Sequence, residues 1–179
     1  MGIGLETEVA NDFMIEEHTY VLKVTWWGSY WNGFEGSPKN RPFFLRFYQD
    51  GGRVPEAIPF LEVFTEAYFV EALAYGGNLY SQFIYEACTP ETLLSPGIYW
   101  LSIQMAEHAF PVQWGRLGAD EIQSCDTCVR SEYFGYPEWT PVADAIGSPY
   151  EATQMIEDEC AGWWPTKVTS WGAIRGLYR

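Results

Sequence analysis

Hydrophobic and polar residues alternate with a period of two in several runs of this chain, which is the pattern of half-buried β-strands. Three runs predict strands most clearly: Tyr20–Trp31, Phe43–Asp50 and Ile98–Met105. Further strands are predicted at Pro59–Val70, Asn78–Ala87 and Tyr150–Glu157. Good helix formers leave a helix as the alternative over Pro59–Tyr75, but frequent Phe, Val, Thr and Tyr favour a strand there.

Turn signals built from Gly and Pro separate these runs at intervals of roughly ten residues. They are Asn32-Gly33, Gly36-Ser37-Pro38, Asp50-Gly51-Gly52, Gly76-Gly77-Asn78 and Ser95-Pro96-Gly97. This pattern predicts an all-β protein with an antiparallel β-sandwich or jelly-roll-like fold, as a single domain over residues 1–160. Residues 115–149 combine many Gly, Pro, Asp and Ser with little periodicity, so we expect a long, irregular, cysteine-containing loop.

The alternation also predicts which face of each strand enters the core. On the first strand the even positions up to Trp26 are apolar, and on the second Phe43, Leu45 and Phe47 share one face. The opposite faces carry aromatic residues beside polar ones, namely Trp27, Phe44, Tyr48 and Trp100 with Lys23, Arg46, Ser102 and Gln104. Tyr30 and Trp31, just beyond Gly28, join Trp27 as candidates for recognition.

Three interpretations of this aromatic face stay open. Loops or a second sheet can cover it, so that it is internal. It can be a protein interface, where Trp, Tyr and Arg are enriched. It can also be a platform on which sugar rings stack beside polar groups. A contiguous exposed patch of this kind is unusual on a plain monomer, so exposure would indicate binding.

Charge narrows the classes of partner. The chain has 10 basic and 24 acidic residues and a net charge of −14. Such a surface repels phosphate backbones and anionic membranes, so we expect no nucleic-acid partner. No run reaches the roughly 18 apolar residues of a membrane span, so we expect no membrane insertion. The first residues lack the basic and apolar regions of a signal peptide, which predicts a mature or a cytosolic chain.

The four cysteines permit three complete disulfide pairings. We expect a local ring between Cys125 and Cys128 and a longer bridge between Cys88 and Cys160. Two disulfides favour an extracellular or cell-surface location. A zinc site is the alternative, although the sequence has only one C-x-x-C pair.

Catalytic patterns are weak in this sequence. His18 and His108 are the only histidines, neither has a nucleophile context, and loop positions are expected for both. Acid pairs such as Glu62 with Glu66, or Glu157 with Glu159, suit a glycoside hydrolase, but solvated strand faces explain them as well. We therefore expect no enzyme and keep the hydrolase as a remote alternative. A structural Ca²⁺ at Asp12 or Asp50 is the one cofactor left open.

The C-terminal residues partly repeat the N-terminal ones. Met14-Ile15-Glu16-Glu17 precedes Lys23-Val24-Thr25-Trp26-Trp27-Gly28, and Met155-Ile156-Glu157-Asp158 precedes Lys167-Val168-Thr169-Ser170-Trp171-Gly172. The similarity is a coincidence of two strands, the start of a tandem repeat, or a segment that pairs with a neighbouring subunit. In the last case residues 161–179 are an exchanged or interaction strand whose contacts come from Trp163, Trp164, Val168 and Trp171.

Several motifs in order resemble secreted bacterial β-sandwich domains of the kind found in PEP-CTERM-type surface proteins. They span about residues 11–157 and are Asn11-Asp12-Phe13, VTWWGSY from Val24, FFLRFYQDGG from Phe43, IYWLSI from Ile98, Trp114-Gly115 and Trp139-Thr140-Pro141. The resemblance implies an extracellular, non-catalytic domain and transfers no active-site residues. The cysteine loop and the tail Ala161–Arg179 depart from that pattern.

Two functions therefore remain as expectations. The first is an extracellular structural or adhesive module that assembles into a surface layer or filament with its own copies or with another surface protein. The second is a carbohydrate-binding module that uses the aromatic face.

Overall fold

Two antiparallel β-sheets face each other across a shared core in the computed structural model of this chain, which describes residues 7–31, 42–72, 82–106, 113–119 and 127–160. In chain order the strands are β1 (Glu8–Ile15), β2 (Thr19–Trp31), β3 (Pro42–Gln49), β4 (Leu61–Glu66), β5 (Tyr68–Ala72), β6 (Gln82–Leu94), β7 (Gly97–Met105), β8 (Gln113–Arg116), β9 (Cys128–Ser131), β10 (Tyr136–Pro141) and β11 (Gln154–Glu157), and the short helix α1 (Val142–Ile146) follows β10. The predicted all-β sandwich is confirmed.

One sheet has six strands in the order β10-β9-β1-β7-β3-β4. The other has five, in the order β11-β2-β6-β5 with β8 also paired to β2. β11 pairs with residues 23–26 of the long strand β2, and β8 pairs with residues 28–31. Because β6 pairs with both stretches on the other side, β11 and β8 lie end to end along the same edge of β2. Only Ala67 separates β4 from β5, so the chain crosses from one sheet to the other there.

Aromatic rings from both sheets interlock at the centre of the core. The ring of Trp26 on β2 stacks on Tyr85 of β6, with centroids 5.6 Å apart. It also meets the edge of Phe43 from the opposite sheet at 5.1 Å. Trp114 of β8 closes the group with edge contacts to Phe43 and Tyr85. Such offset and edge-on pairs add to the free energy gained from burial alone.

Gly28 has a packing reason for its place in the middle of β2. A Cβ atom at this position would overlap the indole ring of Trp114, which lies directly against the backbone. The glycine in the Trp26-Trp27-Gly28 run therefore makes room for a core side chain of the neighbouring strand.

Strand β2, which contains the predicted strand Tyr20–Trp31, enters the core as predicted only in its second half. Val24 and Trp26 are buried, but Tyr20 is exposed and Leu22 is half-buried, while Val21 lies in the core. The prediction that all even positions face inward is wrong because the pairing shifts between Val21 and Lys23, where three residues of β6 oppose one of β2. The irregularity contains Pro90, which has no N–H for the ladder.

Residues 115–149 are more regular than the sequence indicates. The expected irregular loop is wrong for 128–146, which form β9, β10 and α1. These strands have four and six residues, and the β9–β10 pairing slips between Tyr136 and Thr140, so no period-two run is long enough to notice. The other predicted strands are confirmed with shifted ends, and Pro59–Val70 divides into β4 and β5.

The predicted long disulfide is confirmed. Cys88 on β6 and Cys160 after β11 are bonded, with Cα atoms 6.0 Å apart. This bond excludes the four-cysteine zinc site, since two of its sulfurs are oxidised. Cys128 is buried, whereas Cys125 and the predicted local ring lie outside the described residues. Within the described ranges no helix is long and apolar enough to cross a membrane.

Gly28→Ala should destabilise the fold by about 1–3 kcal/mol, because its methyl group overpacks against Trp114. Gly115→Ala is the matched control, since a Cβ there meets nothing within 4 Å. Urea denaturation of both variants tests this expectation. Equal free energies of unfolding for the two would contradict it.

Candidate functional site

The outer face of the six-stranded sheet carries a group of polar and aromatic side chains from four neighbouring strands. Register places Arg46 of β3 between Ser102 of β7 and Glu62 of β4. One step along the strands, Trp100 lies between Asp12 of β1 and Tyr48 of β3. These residues all point away from the core between the two sheets. The alternate residues of the same strands, such as Phe47 and Leu101, point into that core.

Part of this outer face forms a second hydrophobic cluster. It consists of Ala10, Tyr48, Trp100, Cys128 and Trp139, with Val54 packed against it. Tyr48 and Trp100 are both 0% exposed, so neither is available to a ligand. The prediction that Tyr48 and Trp100 belong to an exposed platform is therefore wrong, and the covered-face interpretation holds for them.

The segment 51–60 between β3 and β4 folds over this second cluster. The indole nitrogen of Trp139 donates to the carbonyl of Glu56 at 3.2 Å, and Arg130 Nη1 donates to that of Ala57 at 3.1 Å. Val54 fills the space beneath. The cover is thus held by polar side chains of β9 and β10 that bond to its backbone.

Asp50 begins this cover and acts as a hydrogen-bond acceptor. Its Oδ1 accepts from Trp100 Nε1 and from the backbone N–H of Arg53, both at 3.0 Å. Arg53 has a φ of 74°, a left-handed conformation that the short turn requires. Asp12, the other predicted calcium ligand, is buried on β1. Neither belongs to a group of three metal-ligating side chains within the described ranges.

Glu8 is the centre of a charged network beside the cluster. Tyr48 donates its hydroxyl proton to Glu8 Oε1 at 2.6 Å, and Arg130 Nη2 donates to Oε2 at 2.7 Å. Arg46 lies 3.5 Å from the same carboxylate. The guanidinium of Arg130 also covers the ring of Trp139 at 4.5 Å. One carboxylate thus connects β1, β3 and β9.

Burial and bonding oppose each other at Glu8. Burial favours its neutral form, but the hydrogen bonds from Tyr48 and Arg130, with the charge of Arg46, outweigh burial and lower its pKa below the usual 4.5. Burial and the neighbouring Glu8 raise the pKa of Tyr48. Glu8 is consequently ionised and Tyr48 neutral near pH 7, which suits a structural acceptor and donor and does not suit general acid catalysis by Glu8.

The exposed part of this face lies toward the edge strand β4. Phe64 is 61% exposed, and its ring packs 5.1 Å from that of half-buried Phe44. Arg46 lies over Phe44 at 4.8 Å and bonds through Nε to Glu62 and through Nη1 to Gln104. Glu62 and Glu66 flank Phe64 on the same exposed face, as expected for a solvated pair. We call Glu62, Phe64 and Glu66 the β4 rim.

The remaining predicted recognition residues do not join this group. Trp27 is half-buried on the outer face of the other sheet, so the four predicted aromatics do not share one surface. Tyr30 is buried in the core and donates to Met105 Sδ at 3.7 Å, so its prediction as a recognition residue is wrong. The side chain of Trp31 and residues Trp163, Trp164, Val168 and Trp171 lie outside what the structure describes.

On the opposite sheet, Cys160 lies at the start of the predicted tail. Lys23 of β2 pairs with Glu157 of β11 on one side and with Cys88 of β6 on the other. The bond from Cys88 to Cys160 therefore brings the chain back across the outer face of β2. Glu157 is buried there, 2.9 Å from Lys23 and bonded to Thr25, so its expected solvated position is wrong.

Sequence reasoning missed four contributors to the outer face. Arg130 and Trp139 bond to the cover, Glu8 bonds to Arg130, and Phe64 forms the exposed edge. The one local signal for Phe64 is its place between two glutamates on a predicted strand. Glu8 and Arg130 are 122 residues apart, and no spacing rule connects them.

Comparison with known protein families, characterised proteins and solved structures finds no match for this chain.

Trp100→Ala should cost about 3–5 kcal/mol of stability, because it empties a fully covered aromatic site. Phe64→Ala removes an exposed ring from the same sheet face and should cost about 1 kcal/mol or less. Chemical denaturation of the two variants provides the comparison. A small loss for Trp100→Ala would indicate that the segment 51–60 does not cover it.

Glu8→Gln should lower stability at pH 7 by roughly 2–4 kcal/mol, less than for a wholly buried pair because both arginines keep some solvent contact. Since folding depresses the pKa of Glu8, its contribution is complete above about pH 4.5 and disappears as the pH falls through the folded value. The difference in free energy of unfolding between wild type and Glu8→Gln should therefore become smaller at acidic pH.

Denaturation curves from about pH 3 to about pH 7 measure the difference in free energy of unfolding between wild type and Glu8→Gln. This range covers values below and above the ordinary carboxyl pKa. Glu62→Gln, which changes the exposed carboxylate bonded to Arg46, serves as the control. A gap that stays constant with pH would mean that Glu8 is not held ionised by the network.

Proposed function

We propose that this chain is a non-catalytic, extracellular structural or adhesive module that self-associates by strand addition. The observation that carries the proposal is the edge strand β4, the last strand of its sheet among the described ones, with Phe64 61% exposed in the middle of it. An edge strand with an exposed aromatic offers backbone hydrogen bonds and an apolar contact to a further strand.

The chemistry of the charged network supports a non-catalytic role. Glu8 is committed to Tyr48 and Arg130, and its lowered pKa keeps it from donating a proton near pH 7. The guanidinium groups of Arg46 and Arg130 are themselves bonded to side chains and backbone of the same domain. This arrangement stabilises the fold and leaves little reactivity for a substrate.

The disulfide supports an extracellular or cell-surface location. Such bonds persist in oxidising compartments and are rare in a reducing cytosol. The net charge of −14 argues against nucleic acid and in favour of protein partners with basic segments. The resemblance to secreted PEP-CTERM-type surface domains points in the same direction, and copies of this chain or another surface protein are the partners it favours.

A second candidate is glycan binding at the exposed end of the same face. Phe44 and Phe64 present rings beside Arg46 and Gln104, the combination of flat and polar groups that sugars require. The aromatic area is smaller than the sequence indicates, since Trp100 and Tyr48 are covered. For this reason we place assembly first.

Deleting Trp163–Arg179 should reduce the oligomeric state, because this segment supplies the added strand while the disulfide at Cys160 is retained. Light scattering and negative-stain microscopy of the full and shortened chains at increasing concentration measure the effect. If the full chain is a monomer at every concentration, the assembly proposal fails. Retention of that monomer on a glycan array, lost in Phe64→Ala, would support the second candidate instead.

A further inference from the structure

We infer that the basic segment Lys167–Trp171 of one copy pairs with the β4 rim of a second copy. This inference rests on the proposed self-association and gives it a donor, an acceptor and a direction. The acceptor is known from its side chains, and the donor is defined by its sequence alone.

The acceptor is acidic and aromatic. Glu62, Phe64 and Glu66 alternate along the outer face of β4, and all three are exposed. Arg46 neutralises Glu62, with Nε and Oε2 2.5 Å apart. In the described ranges no basic side chain forms an ion pair with Glu66. The rim therefore offers an incoming strand one exposed ring and one carboxylate that no basic side chain of the described residues pairs with.

The donor has the complementary composition. Residues 161–179 contain three of the ten basic residues of the chain, Lys167, Arg175 and Arg179, and none of its 24 acidic residues. In an extended strand Lys167, Thr169 and Trp171 share one face, and Val168 and Ser170 share the other. In an antiparallel pair with the first face outward and Lys167 opposite Glu66, Trp171 is diagonal to Phe64, while Val168 is opposite Thr65 in the inner row of β4.

Charge also makes this edge selective. The acidic excess lies in residues 1–160, so the acidic edge of one copy repels the bodies of others and accepts a basic strand. Charged residues on edge strands commonly prevent indiscriminate pairing of this kind. The same carboxylates that protect β4 from unspecific association thus select its partner.

The positions of donor and acceptor favour contact between copies. The segment 161–179 follows Cys160, which the disulfide holds over the outer face of the five-stranded sheet. The β4 rim faces outward from the six-stranded sheet on the other side of the sandwich. A head-to-tail arrangement brings the two together and leaves one donor and one acceptor free at its ends. Such an interface is heterologous and continues into an open chain of subunits unless it closes into a ring.

Charge exchange in the full-length chain tests the pairing. Lys167→Glu and Glu66→Lys should each abolish the oligomers of the wild type, because like charges then face each other across the strand pair. The double variant carrying both changes should recover them. Glu132→Lys, an exposed reversal in the β9–β10 turn, is the control and should assemble as the wild type does. Circular dichroism melting checks that every variant is folded.

Mixing defines the direction. A chain with Lys167→Glu keeps its acceptor, and a chain with Phe64→Asp keeps its donor. A mixture of the two should therefore form heterodimers and nothing larger. Sedimentation velocity separates these outcomes. Heterodimers and recovery in the double variant support the inference. Wild-type oligomers that persist in Glu66→Lys and Phe64→Asp overturn it and leave self-association standing, whereas a wild type that is always monomeric overturns both.

Discussion

The burial of large aromatic rings on both faces of the six-stranded sheet is the constraint on which the rest of this structure depends. The inner face packs against the second sheet, as in any β-sandwich. The outer face carries Trp100 and Tyr48, which need a cover of their own. The segment 51–60 supplies that cover, and Asp50, Arg130 and Trp139 bond it in place. What the sequence presents as a binding platform is therefore largely a second core.

This second core explains why charge is buried where it is. Glu8 accepts from Tyr48 and Arg130 at the margin of the cluster, where leaving any partner unbonded would be costly. Because the carboxylate joins three strands that are distant in the chain, it favours one register among them over others. The part of the outer face that stays exposed lies at β4, at the edge of the six-stranded sheet.

The sequence predicted the sandwich and the identity of most core positions, because alternation in runs such as Phe43–Asp50 follows directly from the strand geometry. It failed at Val21, where an irregular pairing with β6 changes the face, since such shifts depend on the partner strand. It also failed at β1, where Glu8 and Asp12 are polar yet buried, because their burial depends on tertiary packing that alternation cannot show. The Cys88–Cys160 bridge was one of three pairings that the four cysteines permit, so the sequence could favour it but could not decide it.

That bridge has a mechanical consequence for any assembly in which the residues beyond Cys160 are held by a neighbour. β11 has four residues and lies at the edge of its sheet, so tension on it alone would peel it from β2 one hydrogen bond at a time. The disulfide transfers the load past β11 to β6, a strand of 13 residues paired on both sides. A pull must then shear a long central strand, so tensile strength would depend on the redox state of one bond.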